Sequence, residues 1–290
     1  MLVALRPATA ADATALAAFL EVAYPSGYLP TFDRDGPPAP QDVWFVHAEK
    51  DVCVVEVDRQ PAGLLIVGRT RGQWLAEELL APTFAEMPPS RRERLVARLA
   101  ALLVARFQAG RQDTVLLRAA EDNAVGLAVA QALQAGFANA LLVYRYRGPR
   151  RPAVAPPAGY QVRRASPEDR QRVVRLCAEL FDDRAQAATV DRALAAREGR
   201  AFVAERDGMV VGVAAVDVGA GRAAWTVGVR ETHRRRGVGR ALAASVLSAL
   251  AARGVVPYAT AWALDPVAGA FLRRLGFGLE RAFLYLERPL

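Results

Sequence analysis

Apolar and polar positions follow one another along the chain in two rhythms, and the same succession of rhythms occurs twice. A short strand ends at Arg6-Pro7, and Thr9 or a near neighbour caps a helix in which Leu16, Phe19 and Leu20 recur at helical spacing. Val52–Val67, VCVVEVDRQPAGLLIV, reads as a strand, a turn at Asp58–Pro61 and a second strand. Val115–Asp122 is a strand leading into a helix that ends at Gly136-Phe137, and Leu141–Arg147 is a closing strand. From Tyr160 the pattern restarts. A strand ends at Arg163-Arg164, and Ser166-Pro167 supplies an N-cap followed by proline, with acids in the first turn. Phe202–Val216 repeats the hairpin with its turn at Asp207-Gly208, and Gly212 takes the place of Gly63. Tyr258–Asp265 matches Val115–Asp122, Gly276-Phe277 matches Gly136-Phe137, and Ala282–Arg288 matches the closing strand.

A repeat of about 140 residues therefore organises the chain. Each copy reads strand, one or two helices, three strands, helix, strand, helix, strand. Hairpin strands followed by a crossover predict an α/β fold of the α+β kind, with a mixed central sheet flanked by helices in each of two tandem domains. The domains run 1–147 and 160–290. Residues 148–159, GPRRPAVAPPAG, form an extended linker.

Composition narrows the class. With 53% hydrophobic and 23% charged residues in 290, the chain is globular. No apolar run approaches the roughly 20 residues of a membrane helix. The N-terminus lacks a signal-peptide apolar region, so a cytoplasmic location is expected. Cys53 and Cys177 read as buried free thiols. His47 and His233 lie far apart in sequence, so no metal is expected. The net charge is +8, and Lys50 is the single lysine. A basic balance suits an anionic ligand. The arginines cluster only at Arg234–Arg240 and Arg147–Arg151, which argues against nucleic acid as a partner.

The chemistry concentrates in Trp225–Arg240, WTVGVRETHRRRGVGR. A β-rich stretch (Trp225, Val227, Val229) passes through Gly237 and Gly239 into a helix. A helix start leaves unpaired N–H groups and a partial positive charge, and glycine lets a phosphate approach the backbone. Arg234, Arg235, Arg236 and Arg240 add cationic donors. The spacing Arg234-x-x-Gly237-x-Gly239 resembles the acetyl-CoA signature of the GNAT superfamily of N-acetyltransferases, Gln/Arg-x-x-Gly-x-Gly/Ala. The order of elements is similar too, strongly in the second copy and weakly in the first. Tandem copies with one working site resemble the layout of two-domain members of the mycothiol synthase type.

The resemblance implies roles. The strand around Val227, Gly228 and Val229 would present main-chain groups to the pantetheine arm and the acetyl carbonyl. Arg234, Arg235, Arg236, Gly237, Val238, Gly239, Arg240 and Ala241 would surround the pyrophosphate. DPVAGAFLRRLG resembles the family pattern Asn-x-x-Ala-x-x-Phe-Tyr, with Asp265, Ala268 and Phe271 at the first three positions. Leu272 stands where many members carry the tyrosine that protonates the leaving thiolate. The strand before the glycine turn supplies no acid. Asp217, at the end of the preceding strand, is the first candidate base and Glu205 the second; both types of position are also ordinary solvated strand ends. Tyr285 is a candidate substitute acid, or a core tyrosine with a wet hydroxyl. Glu231 and His233 lie too close to the glycine turn to be preferred.

In the first copy, AEMPPSRRERLVAR (85–98) replaces the glycines with Pro88 and Pro89, although Arg91, Arg92 and Arg94 remain. That copy is expected to be structural. Its loop Pro25–Gln41, flanked by Tyr24 and carrying Tyr28 and Phe32, is a lid or a tucked surface loop. Family domains commonly close with two strands after the last helix; each copy here has one, so the copies are expected to complete each other's sheets. The function implied is an N-acetyltransferase that passes the acetyl group of acetyl-CoA to a primary amine of a small molecule or peptide by direct attack. The alternatives are a non-catalytic acyl-CoA-binding or regulatory module and a basic RNA-contacting scaffold. A monomer or a homodimer is expected, with no membrane partner.

Overall fold

The computed structural model describes all residues except 25–27, 30–33, 36–37, 44–49, 71–72, 150–153, 181–189, 192, 196–200 and 220–221. Phe32 and His47 lie outside the described residues. The strands are β1 (Val3–Pro7), β2 (Tyr28–Leu29), β3 (Arg34–Asp35), β4 (Asp51–Val57), β5 (Gln60–Thr70), β6 (Gln73–Leu80), β7 (Thr114–Ala120) and β8 (Gly136–Tyr146). They continue as β9 (Gln161–Arg164), β10 (Ala201–Arg206), β11 (Met209–Gly219), β12 (Arg222–Val229), β13 (Tyr258–Trp262) and β14 (Phe277–Pro289). The principal helices are α1 (Ala13–Ala23), α2 (Pro89–Ala109), α3 (Ala124–Ala132), α4 (Arg170–Leu180), α5 (Val238–Ala251) and α6 (Pro266–Arg274).

The chain forms two compact units. Unit 1 comprises Met1–Val143, Ala261–Pro266 and Glu280–Leu290, and unit 2 comprises Tyr144–Thr260 and Val267–Leu279. One sheet has the order β1-β4-β5-β6-β7-β14-β8-β13 and another β12-β11-β10-β9, while β2 and β3 pair alone. Unit 1 thus takes its last strand from the end of the second repeat: Phe283 pairs with Ala120 and Arg288 with Val115, antiparallel. In unit 2, the Tyr146 N–H donates to the carbonyl of Pro257, so the end of β8 lies beside the start of β13. Each repeat's closing strand is long and single, and it satisfies its main chain against a strand of the other repeat.

Burial follows the alternation of each strand. In unit 2, Val203, Val213 and Ala215 pack with Val173, Leu176 and Cys177 of α4. Their neighbours Phe202, Ala204 and Ala214 pack on the other face with Val238, Leu242, Val246 and Leu250 of α5. In unit 1, Leu95, Leu99, Leu103 and Phe107 line one face of α2 at intervals of a helical turn and share a core with Val125, Val129 and Leu133. Both cysteines are buried, and burial pushes the Cys177 thiol up to about 11.

The repeats share one anchoring network. Arg6 donates to Asp12 through both terminal nitrogens (2.8 and 2.7 Å) and to Glu56 through Nε (2.7 Å). Arg163 does the same to Asp169 (2.6 and 2.9 Å) and Glu205 (3.0 and 2.6 Å). Thr9 and Ser166 complete matching capping boxes with Asp12 and Asp169. A β-bulge falls at Val55/Glu56 in one hairpin and at Ala204/Glu205 in the other. The arginines hold both aspartates well below the ordinary carboxylate range.

The hairpins also share a close approach. A Cβ on Gly63 would fall on the Leu80 carbonyl, and one on Gly212 would lie 2.9 Å from Leu242 Cδ1 and 3.2 Å from the Gly228 carbonyl. Gly212 stands opposite Val229, and Gly63 abuts Leu80 and Ala81. Leu79 therefore corresponds to Val227. The later match is shifted by one residue from its reading in the sequence. Turns at 121–122 and 263–264 precede helices beginning at 124 and 266. Asn123, not Asp122, is thus the counterpart of Asp265.

Candidate functional site

β12 is an edge strand of the four-stranded sheet among the described residues. The Arg230 N–H donates to the carbonyl of Val211. In an antiparallel ladder the residues that bond to a given neighbour alternate. With Val229 opposite Gly212, the even-numbered residues face β11, and the N–H and C=O of Val227 and Val229 point away from it. Gly228 bonds inward, opposite Val213.

The chain then turns. Arg230 is held by Glu179 (2.8–3.1 Å), and Arg234 Nε donates to the outward carbonyl of Val229 (2.9 Å). Arg234 therefore ties the turn to the strand it has just left. Arg235 and Gly237 have positive φ, 59° and 88°. Gly237 is the N-cap of α5, with no side-chain capping bond. The first α5 hydrogen bond runs from Ala241 N to the carbonyl of Gly237, so the N–H groups of Val238, Gly239 and Arg240 have no intrahelical acceptor. Arg235, Arg236 and Arg240 are exposed around them. A Cβ on Gly239 would touch Phe271 and Val229 at 3.6 Å, which places Phe271 of α6 against the turn. This is a cluster of main-chain donors at a helix start with cations about it, an arrangement suited to a diphosphate.

At the other end of β12, Trp225 Nε1 donates to the Tyr258 carbonyl (2.7 Å) and the indole stacks on Phe277 at 5.5 Å. β12 and β13 belong to different sheets, so in unit 2 the link between them at this point is a side chain.

The remaining candidates are dispersed. Asp217 sits on β11 opposite Ala224. Glu205 is committed to Arg163, with Arg172 at 3.4 Å; because Glu56 does the same in the other repeat, the arrangement is structural. Tyr285 belongs to unit 1, opposite Arg118 on β7, with its ring edge-on to Trp262 at 5.0 Å. Asp265 is exposed just before α6, Ala268 lies on that helix, and Leu272 is buried.

The equivalent strand in unit 1, β6, is not an edge: it pairs in parallel with β7 at Ala76 and Leu117, and side chains take up its next main-chain groups. Arg118 Nε donates to the Glu77 carbonyl (3.2 Å), and Asn123 Nδ2 donates to the Leu79 carbonyl (3.0 Å). Behind them lies a buried charge cluster. Arg118 meets Glu78 (3.2 Å), Lys50 meets Glu77 (2.6 Å), and the Tyr24 hydroxyl donates to Glu78 (2.9 Å). Sequence reasoning missed this cluster; its signal was two adjacent glutamates and one arginine on otherwise apolar strands. α2 begins with Pro88 as N-cap and Pro89 as its first residue.

No helix among the described residues is long and apolar enough to cross a membrane. No cluster of three or more His, Cys, Asp or Glu able to hold a metal occurs among them.

Residues 166–277 match the family model described as the acetyltransferase (GNAT) family. Similar solved structures include a GCN5-related N-acetyltransferase from Sphaerobacter thermophilus, at 17% identity and TM-score 0.72, covering 99% of this chain and 95% of that one. A tandem GNAT protein from the clavulanic acid biosynthesis pathway aligns at 18% identity and TM-score 0.67, covering 99% and 98%. An acetyltransferase of the GNAT family from Colwellia psychrerythraea aligns at 14% identity and TM-score 0.62, covering 99% of each chain. At such identities these likenesses establish the fold. No curated protein matches the chain.

Proposed function

We propose that the chain is an acetyltransferase of the GNAT kind, on the match of residues 166–277 to that family's model, and that unit 2 binds acetyl-CoA and passes its acetyl group to a primary amine of a small molecule or peptide. The observation that carries this is the continuity of two main-chain surfaces. The outward groups of Val227 lie on the edge of β12, and the free amides of Val238, Gly239 and Arg240 lie where that strand hands over to α5. The first suits an amide-bearing pantetheine arm and the second a diphosphate.

In the reaction the amine nitrogen attacks the thioester carbonyl carbon. A main-chain N–H at Val227 stabilises the oxyanion. The C–N bond forms, the C–S bond breaks, and the sulfur leaves as thiolate. The amine proton passes through water to a carboxylate, for which we retain Asp217. Glu205 is the weaker choice because Arg163 holds it. Leu272 cannot protonate the sulfur, so solvent supplies that proton; Tyr285 remains a candidate acid on its chemistry alone. Neither step requires a covalent enzyme intermediate.

Replacing Gly237 and Gly239 together with valine tests the reading by calorimetry with acetyl-CoA. Two or three charge-assisted hydrogen bonds to phosphate are at stake, so affinity should fall on the order of 100-fold or more. An unchanged dissociation constant would remove the assignment. A second reading, an acyl-CoA-binding module without turnover, is favoured by Leu272 and by the engagement of Glu205. Release of CoA thiol across a panel of amines separates the two.

A further inference from the structure

We propose that Tyr160, at the end of the segment joining the repeats, is a positioning residue for the phosphate-binding turn and holds it in its binding-competent shape through His233. This rests on the reading of Arg235–Arg240 as the diphosphate site.

The turn needs an external support. Arg235 is a non-glycine residue at φ 59°, a left-handed conformation that persists only where its surroundings impose it. Arg230 and Arg234 fix the strand side. The other side is met by the inter-repeat segment. Pro157 Cγ lies 3.4 Å from where a Cβ on Gly237 would stand. A hydrogen bond from Tyr160 N to the Pro157 carbonyl folds the segment back (3.0 Å). The Tyr160 hydroxyl is 3.0 Å from Nδ1 of His233, and the rings meet edge-on at 5.8 Å. His233 closes the short 3-10 turn Glu231–His233, two residues before Arg235.

The hydrogen bonds have a direction. Arg206 Nη1 donates to the Tyr160 hydroxyl (3.1 Å), and its guanidinium lies 5.2 Å from the centre of the Tyr160 ring. A guanidinium only donates, so the hydroxyl accepts from Arg206 and keeps its own proton to donate. In the proposed relay that proton goes to Nδ1, and His233 is the neutral tautomer with its proton on Nε2. Burial and the charges of Arg236, Arg206 and Arg230 hold its pKa below the ordinary value, while Asp207 acts in the opposite sense. Between the corresponding segments of unit 1, residues 57–60 and 83–88, an open cleft of about 480 Å³ is lined by Val57, Asp58, Gln60, Thr83, Met87 and Arg91. There Asp58 is bridged by Arg91 (3.2 Å) in place of a tyrosine–histidine pair.

Tyr160→Phe keeps the ring and removes the relay. The chain has two histidines, so nitrogen-15 spectra of the ring nitrogens are assigned by comparison with His47→Gln. In the wild type, His233 should show the Nε2–H tautomer at pH 7.5. In Tyr160→Phe that preference should be lost and the His233 pKa should rise, because the donor that favoured the neutral ring is gone. The dissociation constant for acetyl-CoA should rise about 3- to 10-fold, the worth of one positioning hydrogen bond. Tyr146→Phe removes a comparable hydroxyl bond, to the Pro149 carbonyl, and should change neither readout. Unchanged acetyl-CoA affinity in Tyr160→Phe, or a His233 tautomer insensitive to it, overturns the inference. Failure of the wild type to bind acetyl-CoA instead overturns the reading of the site, since the spectra report the relay without any ligand.

Discussion

In unit 1 the outward carbonyls of Glu77 and Leu79 accept hydrogen bonds from Arg118 and Asn123; in unit 2 the corresponding stretch of β12 is an edge. The helix that follows begins with two prolines in one case and with Gly237 and Gly239 in the other. Two copies of one architecture thus differ at the same two features, the strand edge and the helix start. On the proposed function, unit 1 departs from a ligand site by more than its glycines. The main-chain groups a ligand would have used still need partners, and the chain supplies them from its own side chains.

The largest effect is expected at Arg118. Arg118→Ala leaves Glu78 buried without its guanidinium and frees the Glu77 carbonyl. We expect unfolding of unit 1 to become easier by about 3–5 kcal/mol, measured by denaturant titration, with acetyl-CoA affinity at unit 2 retained. A loss below about 1 kcal/mol would show the cluster to be incidental.

The anchoring networks come next. Asp169 is fully buried, and its partners Arg163 and Arg172 are 30% and 45% exposed. Asp12 is 12% exposed, with one arginine. Asp169→Asn should cost about 3 kcal/mol and Asp12→Asn about 1–2 kcal/mol. Both carboxyls are held below their ordinary value of 3.8 in the folded chain. Their contribution is therefore complete above pH about 4 and is lost as the pH falls through the lower folded value. The denaturation midpoint of Asp169→Asn should accordingly depend less on pH below 4 than that of the wild type.

The smallest effect is expected at Arg234. Its Nε bond to Val229 steadies the turn, so Arg234→Ala should weaken acetyl-CoA about 3-fold. A loss near 100-fold would mean that its guanidinium meets the phosphates directly.

Much of this was legible in order. The repeat, the hairpins and the matching glycines Gly63 and Gly212 follow from alternation and spacing, because short-range sterics act on neighbouring residues. The Trp225–Arg240 turn was legible for the same reason: glycine at a positive φ before a helix is a local requirement. The engagement of Glu205 was not legible. In sequence it is an acid near a strand end, and only the fold brings Arg163 to it from 42 positions away. That β14 pairs with β7, which places Tyr285 in unit 1, was not legible either, because the pairing joins distant segments.

The sequence alone determined the elements, their twofold recurrence and the place where bare main chain meets a helix start, since each depends on residues a few positions apart. The tertiary structure decided which closing strand completes which sheet, that Arg118 and Asn123 take up main-chain groups of β6 in unit 1, and that Tyr160 reaches His233 across 73 positions. These are pairings between distant segments, and no local spacing records which distant segment will arrive.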